Sequence, residues 1–254
     1  DGGRPPYNIY VKALDSGKFE EIDEGEVPSE IRSRLALALD VDDVVAARRL
    51  AADLDEFFGT VKVGLELYTA AGPDVIAGLV ANGWDVFADL KLHDIPTTVN
   101  KAARVVGSLG VRWLTVHTSG GEAMLQAAVE GLREGAEGLD GPPPGVLGVT
   151  VLTSDAEASS ETLKTRTSLA VETGCAGIIC AAPDLSTTEP WADQLTRVVP
   201  GTRMPGSETH DQARVLTPQQ AINDGADILV IGRTVTLAEE PILAAAELVS
   251  YLLG

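Results

Sequence analysis

The chain has 254 residues, of which 44% are hydrophobic and 22% charged, and its net charge is −19. This length suits one large domain with a single core, and the acidity argues against binding to nucleic acid or to an anionic membrane. No apolar run approaches the roughly 18 residues that a membrane-spanning helix needs. Cys175 and Cys180 match no common metal-ligand spacing, so we expect two free thiols and a cytoplasmic location.

Residues 1–33 differ in pattern from the rest of the chain. Residues 7–11 (Tyr-Asn-Ile-Tyr-Val) favour a short strand, whereas residues 20–26 are acidic and lack a regular apolar period. We interpret residues 1–33 as an N-terminal extension or arm, and residues 34–254 as the main domain.

From residue 35 onward, short apolar runs alternate with helical patterns. The helical patterns include residues 43–54, 123–132 and 218–224, the last beginning with a capping Thr217 before Pro218. This rhythm predicts an α/β fold, a closed (β/α)8 TIM barrel. An open doubly wound sheet is the alternative, but no Gly-x-Gly-x-x-Gly follows the first predicted strand. The eight predicted strands are residues 35–39, 60–63, 84–88, 112–116, 146–152, 177–180, 197–199 and 228–231.

Polar residues recur where the predicted strands end, and the active site of such a barrel is built at the carboxyl ends of its strands. In strand order these residues are Asp40, Lys62, Asp89 with Lys91, His117, Thr153, Arg203, and Gly232 with Arg233.

The third predicted strand leads into Asp89-Leu90-Lys91-Leu92-His93-Asp94. Because side chains alternate along a strand, Asp89 and Lys91 are expected on the same face. Asp94 falls on the turn that starts the next helix. Two carboxylates near one lysine favour its charged ammonium form, which suits delivery of a proton to a carbanion.

The last two strand ends indicate a phosphate site. Barrel enzymes often bind phosphate with the loops after strands seven and eight. Gly232 permits close backbone approach, and Arg233 offers a planar fork to phosphate oxygens. Arg203 and Gln212 lie on the preceding loop and strengthen this prediction.

The run from Phe87 to Val99 resembles the signature of orotidine 5'-phosphate decarboxylases. Further motifs of that family recur in the expected order between about residues 35 and 240. They are Ala38-Leu39-Asp40, Val61-Lys62-Val63-Gly64, residues 149–154, Pro200-Gly201-Thr202-Arg203, Asp211-Gln212 and Ile231-Gly232-Arg233. The resemblance implies decarboxylation of orotidine 5'-monophosphate to uridine 5'-monophosphate, the last step of UMP biosynthesis. It implies no cofactor and no metal, with Lys91 protonating a carbanion-like intermediate.

The resemblance also implies roles for individual residues. Lys62, Asp89, Lys91 and Asp94 form the implied catalytic network, whose charges sum to zero. Asp94 and Thr98 reach into the site of a neighbouring subunit, which implies a homodimer with active sites at the interface. By analogy, Asp40 and Lys62 contact the ribose and Thr153 the pyrimidine, while Arg203, Gln212, Gly232 and Arg233 bind the phosphate.

Two other functions stay open at this point. A metal-dependent sugar-phosphate decarboxylase or synthase of the same barrel superfamily uses a similar Asp-x-Lys-x-x-Asp run with magnesium. Lys62 opposes this, because it places a cation where a metal would need an oxygen ligand. A non-catalytic nucleotide-binding barrel is the second alternative, and the complete set of charged residues argues against it.

Overall fold

The computed structural model describes residues 27–152, 159–205 and 216–254, together with the backbone of residues 10–12 and 19–21. Eight parallel strands close into a barrel in which each strand pairs with its neighbours along the chain, and the last strand pairs with the first. We number these strands after a separate hairpin formed by β1 (Tyr10–Lys12) and β2 (Phe19–Glu21). The barrel strands are β3 (Leu35–Ala38), β4 (Thr60–Val63), β5 (Asp85–Leu92), β6 (Trp113–His117), β7 (Gly145–Val149), β8 (Gly177–Ile179), β9 (Thr196–Pro200) and β10 (Ile228–Ile231). The predicted (β/α)8 TIM barrel is therefore confirmed, with strand ends shifted by a few residues.

Helices cover the outside of the barrel and confirm the three helical patterns predicted from the sequence. The α-helices are α1 (Ser29–Arg32), α2 (Val44–Asp53), α3 (Leu65–Ala71), α4 (Asp74–Ala81), α5 (Pro96–Ser108), α6 (Glu122–Gly135), α7 (Ser160–Glu172), α8 (Leu185–Thr188), α9 (Pro218–Asn223), α10 (Arg233–Thr236) and α11 (Pro241–Leu253). At the start of α9, the Thr217 hydroxyl accepts the N–H of Gln220 while the Gln220 side chain accepts the N–H of Thr217. This reciprocal capping explains why the helix begins where the sequence predicts. In the described part of the chain, no helix is long and apolar enough to cross a membrane.

The barrel strands are buried on both faces, as parallel strands between a core and a helical shell must be. Leu35 and Leu37 of β3 pack outward against the helices, while Ala36 and Ala38 point into the barrel. Phe87 and Trp113 are the two largest side chains inside. The interior is therefore a packed floor that leaves room only above it, at the carboxyl ends of the strands.

One strand pair departs from regular pairing. Ala88 of β5 pairs with Leu114 of β6, but the next pairing joins Leu92 to Val116, so three residues of β5 face the single residue Thr115. Lys91, in the middle of this bulge, has a φ of 48°, a left-handed backbone conformation that non-glycine residues seldom adopt. The sequence predicted a regular strand here, whereas the strand is bulged; Asp89 and Lys91 nevertheless line the same cavity, as expected.

The N-terminal hairpin pairs antiparallel and stays outside the barrel sheet. Residues 7–9 of the predicted first strand lie outside the described residues. Val27 and Ile31 pack against the main core, and the N–H of Gly59 donates to the carbonyl of Arg32 at 2.9 Å. The division of the chain at residue 33 stays a prediction.

Candidate active site

A cavity of about 240 Å³ opens at the carboxyl ends of the barrel strands. Its floor is apolar, and its polar lining comes from strands that are far apart in the sequence. The floor includes Phe87, Val149, Ile179 and Val230, and the charged lining residues are Asp40, Lys62, Asp89, Lys91, Arg203 and Arg233. Together with Gly232, which also lines the cavity, seven of the predicted site residues are thus brought together in one place by the barrel topology.

Four of these side chains form a continuous chain of ion pairs. The Lys62 ammonium lies 2.9 Å from Oδ1 of Asp40 and 3.5 Å from Oδ2 of Asp89, and the Lys91 ammonium lies 2.7 Å from Oδ1 of Asp89. The Asp89 and Lys62 side chains are only 13% and 10% exposed, whereas Asp40 is 53% exposed and its charge is therefore well screened. The two lysines and two aspartates sum to zero, so no buried charge is left uncompensated.

Asp89 is held as a carboxylate by its neighbours. Burial alone would raise the pKa of Asp89, but the ammoniums of Lys62 and Lys91 and hydrogen bonds from Lys91 and Thr115 outweigh burial and lower that pKa. The ionised form of Asp89 therefore predominates at neutral pH, which keeps a fixed negative charge next to the Lys91 ammonium.

Thr115 contacts two residues of the site and was not predicted from the sequence. Its side chain is fully buried on β6, and its hydroxyl accepts the backbone N–H of Lys91 at 2.9 Å. The same hydroxyl lies 3.1 Å from Oδ1 of Asp89. The only signal in the sequence is a polar residue inside the apolar run Trp113–His117, and nothing there shows which residue of β5 it faces.

The loops after β9 and β10 bring two arginines to the same cavity. Gly201, with a φ of 83°, turns the chain after β9 and leads into Arg203, which is buried and donates from Nη1 to the carbonyl of Thr202 at 2.9 Å. Arg233 begins α10 directly after Gly232. Both arginines line the cavity together with Gly232, as the prediction of a phosphate site requires. Gln212, the fourth predicted member, lies outside the described residues, as does Thr153.

Asp94 and Thr98 do not line the cavity of their own chain. Both are exposed at the start of α5, and the Asp94 carboxylate accepts the N–H of Ile95 at 2.6 Å. Of the ion pairs formed by the described residues, none joins Asp94 to Lys91. Beside them, Ile95 exposes 67% of its surface.

His117 ends β6 as predicted, but it is not among the residues that line the cavity. Its ring centroid lies 5.5 Å from that of His93. Partial burial lowers the pKa of His117, and the nearby His93, Lys91 and Arg166 add to this effect. His117 is therefore neutral at physiological pH.

Among the described residues, no three His, Cys, Asp or Glu side chains come close enough together to hold a metal ion. Lys62 occupies the space between the carboxylates of Asp40 and Asp89. The arrangement pairs lysine ammoniums with carboxylates, and two arginines also line the same cavity. The fold and the site thus define an α/β-barrel protein with a lysine–aspartate centre suited to proton transfer.

Comparison with known proteins identifies the family. The profile of the Orotidine 5'-phosphate decarboxylase / HUMPS family matches residues 33–248. The chain is 42% identical over 226 residues to the orotidine 5'-phosphate decarboxylase of Moorella thermoacetica, which covers 84% of this chain and 90% of the relative. It is 39% identical over 235 residues to that of Pseudomonas syringae pv. tomato, which covers 88% of this chain and 99% of the relative. The crystal structure of orotidine 5'-phosphate decarboxylase from Lactobacillus acidophilus superposes with a TM-score of 0.73 at 32% identity, over 87% of this chain and 98% of that one. The chain therefore belongs to the orotidine 5'-phosphate decarboxylase family.

Proposed function

We propose that this protein converts orotidine 5'-monophosphate to uridine 5'-monophosphate and carbon dioxide, without a cofactor. The observation that carries the proposal is that the ion-pair chain of Asp40, Lys62, Asp89 and Lys91 lines the same cavity as Arg203 and Arg233. A nucleotide of this kind has a phosphate at one end and a carboxylated base at the other, so it matches a cavity that holds both the arginines and the lysine–aspartate centre.

In the proposed reaction, the bond between the pyrimidine ring and its carboxylate breaks, and carbon dioxide leaves. The electron pair of that bond stays on the ring carbon as a carbanion. The Lys91 ammonium stabilises this developing negative charge and then donates its proton to the same carbon. Because Lys91 is held 2.7 Å from Asp89, its proton is in place before the bond breaks.

Asp89 fixes Lys91 and places a negative charge near the departing carboxylate. The proximity of these two negative groups favours loss of the carboxylate as neutral carbon dioxide, which relieves their repulsion. Asp89 stays ionised during this step because Lys62 and Lys91 oppose the effect of burial and lower its pKa.

The phosphate group supplies binding energy at a distance from the reacting carbon. We propose that Arg233, Gly232 and Arg203 hold it, together with Gln212 from the preceding loop. Arg233 offers two parallel hydrogen bonds to phosphate oxygens. Binding energy from this remote group helps to hold the base against the Asp89–Lys91 pair in the transition state. Lys62 and Asp40 are proposed to contact the ribose, and Thr153 the pyrimidine.

We also propose a homodimer in which Asp94 and Thr98 complete the site of the partner subunit. Their exposure at the start of α5, beside the exposed apolar side chain of Ile95, supports this assembly. An Asp94 carboxylate from the partner subunit would give Lys91 a second negative neighbour. The partly exposed Lys91 side chain leaves room for such an approach.

The alternative of a magnesium-dependent sugar-phosphate enzyme is opposed by the position of Lys62. Its ammonium already bridges the carboxylates of Asp40 and Asp89, which such a metal would need as free oxygen ligands. The matched family profile covers both kinds of enzyme, whereas the curated relatives named above are all orotidine 5'-phosphate decarboxylases.

For location, we propose the cytoplasm. Cys175 and Cys180 are both free and buried. Burial raises their pKa values to about 11 and about 12, so neither thiol is reactive at neutral pH. Two unpaired thiols suit a reducing compartment.

The direct test is the ultraviolet absorbance of orotidine 5'-monophosphate mixed with the purified protein in excess EDTA. We expect the orotate band to fall while uridine 5'-monophosphate forms. If the folded protein leaves the spectrum unchanged, the proposed reaction is wrong. Sugar phosphates with added magnesium are then the next substrates to assay.

A further inference from the structure

The hydroxyl of Thr115 connects the backbone of Lys91 to the side chain of Asp89. It accepts the Lys91 N–H at 2.9 Å and lies 3.1 Å from Oδ1 of Asp89. The Lys91 ammonium donates a hydrogen bond to the same Oδ1 at 2.7 Å. These contacts close a ring that runs from the Lys91 backbone through Thr115 and Asp89 to the Lys91 side chain.

The direction of the hydrogen bonds in this ring is fixed by chemistry. A hydroxyl has one proton, so after accepting the Lys91 N–H it can donate to one acceptor. The available acceptors are Oδ1 of Asp89 at 3.1 Å and the carbonyl of Ala88 at 3.5 Å. The carboxylate is both nearer and charged, so it is the stronger acceptor.

Strand pairing shows where the Thr115 hydroxyl lies relative to Lys91. Thr115 is the single residue of β6 that faces the three bulged residues of β5. Lys91 lies in that bulge with a φ of 48°. A left-handed lysine persists only where its surroundings hold it, and the Thr115 hydroxyl is bonded directly to its N–H.

We infer that Thr115 is a positioning residue for the proposed decarboxylation, fixing the Lys91 backbone and the Asp89 carboxylate with one hydroxyl group. The inference rests on the proposed function for its activity readout. Thr115 does not line the cavity, and it acts only through the two residues that it orients.

Other buried threonines lack this connection to charged groups. Thr167, also fully buried, donates to the carbonyl of Leu163 one turn earlier in α7. Thr118 donates to the carbonyl of Val149. Replacing either by valine removes a similar hydroxyl from a similar environment, yet neither change touches Asp89 or Lys91.

The test compares Thr115→Val, which keeps the shape but loses the hydroxyl, with Thr115→Ser, which keeps the hydroxyl, and with the control Thr167→Val. We expect Thr115→Val to lower kcat roughly 10- to 100-fold, the range for losing a hydrogen bond to a charged group, with a nearly unchanged KM. Thr115→Ser recovers most of kcat, and Thr167→Val keeps it. If Thr115→Val fails to fold, Thr115→Cys replaces it, because a thiol is a weak donor.

A second readout separates positioning from packing and does not depend on turnover. Loss of the Thr115 donor removes one of the groups that lower the pKa of Asp89, so the carboxyl should titrate at higher pH. Carbon-13 NMR of labelled aspartate in wild-type protein, Thr115→Val and Thr167→Val measures this shift. Wild-type kcat and an unshifted Asp89 titration in Thr115→Val would overturn the inference. An inactive wild-type protein with the expected NMR shift would instead refute the proposed reaction and leave the positioning of Asp89 supported.

Discussion

The Lys91 ammonium lies 2.7 Å from the carboxylate of Asp89, two residues earlier on the same strand. On a regular strand such residues share a face but start about 7 Å apart along it. Here the bulge and the left-handed backbone of Lys91 bring the two groups together. Such a backbone conformation costs a residue with a side chain roughly 1–2 kcal/mol. That cost is acceptable where it places the proposed proton donor beside a fixed negative charge.

Replacing Lys91 by alanine removes the proposed proton donor and the cation nearest the carbanion. We expect Lys91→Ala to lower kcat by at least about 10⁴-fold, because general-acid and electrostatic contributions are lost together. Binding of uridine 5'-monophosphate, measured by calorimetry, should stay within a few fold because the arginines are intact. Lys164→Ala, which removes an exposed lysine of α7, is the control and should be fully active. Normal turnover by Lys91→Ala would refute the mechanism.

The lowered pKa of Asp89 predicts how stability depends on pH. A carboxyl whose pKa is lower in the folded protein contributes stability that is complete above its unfolded value of 3.8 and is lost as the pH falls through the folded value. The difference in unfolding free energy between wild-type protein and Asp89→Asn should therefore be constant from about pH 5 to 7. Below about pH 4 the wild-type protein should lose stability relative to the variant. Urea unfolding across this range measures it. A wild-type advantage that grows in acid would mean that burial dominates and raises the pKa.

The barrel and most of its site follow from local sequence patterns. Short apolar runs separated by helical patterns predict the strands, and the rule that barrel sites lie at strand ends selects Asp40, Lys62 and Arg233 without knowledge of any contact. The three residues line one cavity because strand ends converge there whatever the details of pairing, and their roles in the site stay a prediction.

The bulge between β5 and β6 could not be predicted in the same way. Alternation along one strand says nothing about how many residues face each residue of its neighbour, so the role of Thr115 depends on a register between distant segments. The left-handed Lys91 is also unexpected, since local preference favours glycine or asparagine there. Tertiary contacts override local preference at this functional site.

The phosphate side of the cavity can be tested with a truncated substrate. Arg233→Ala should raise KM for orotidine 5'-monophosphate. It should lower kcat/KM roughly 10- to 100-fold, which is the range for losing hydrogen bonds to a charged group. For orotidine, which lacks the phosphate, wild-type protein and Arg233→Ala should be equally slow. Steady-state rates for both substrates give this comparison. An equal loss on both substrates would place Arg233 away from the phosphate.

Mixing two variants tests whether the exposed Asp94 completes the site of the partner subunit in the proposed dimer. If Asp94 serves the partner subunit's site, Lys91→Ala and Asp94→Ala impair different sites of a mixed dimer. Each mixed dimer then has one site with both defects and one site with neither. Random mixing of the two inactive variants in equal amounts should restore about a quarter of the wild-type activity, as two-fold symmetry requires. Mixing after mild denaturation and refolding, with each variant alone as the control, measures this recovery. If the mixture stays inactive while native mass spectrometry shows that mixed dimers have formed, Asp94 acts within its own chain and the shared site is ruled out.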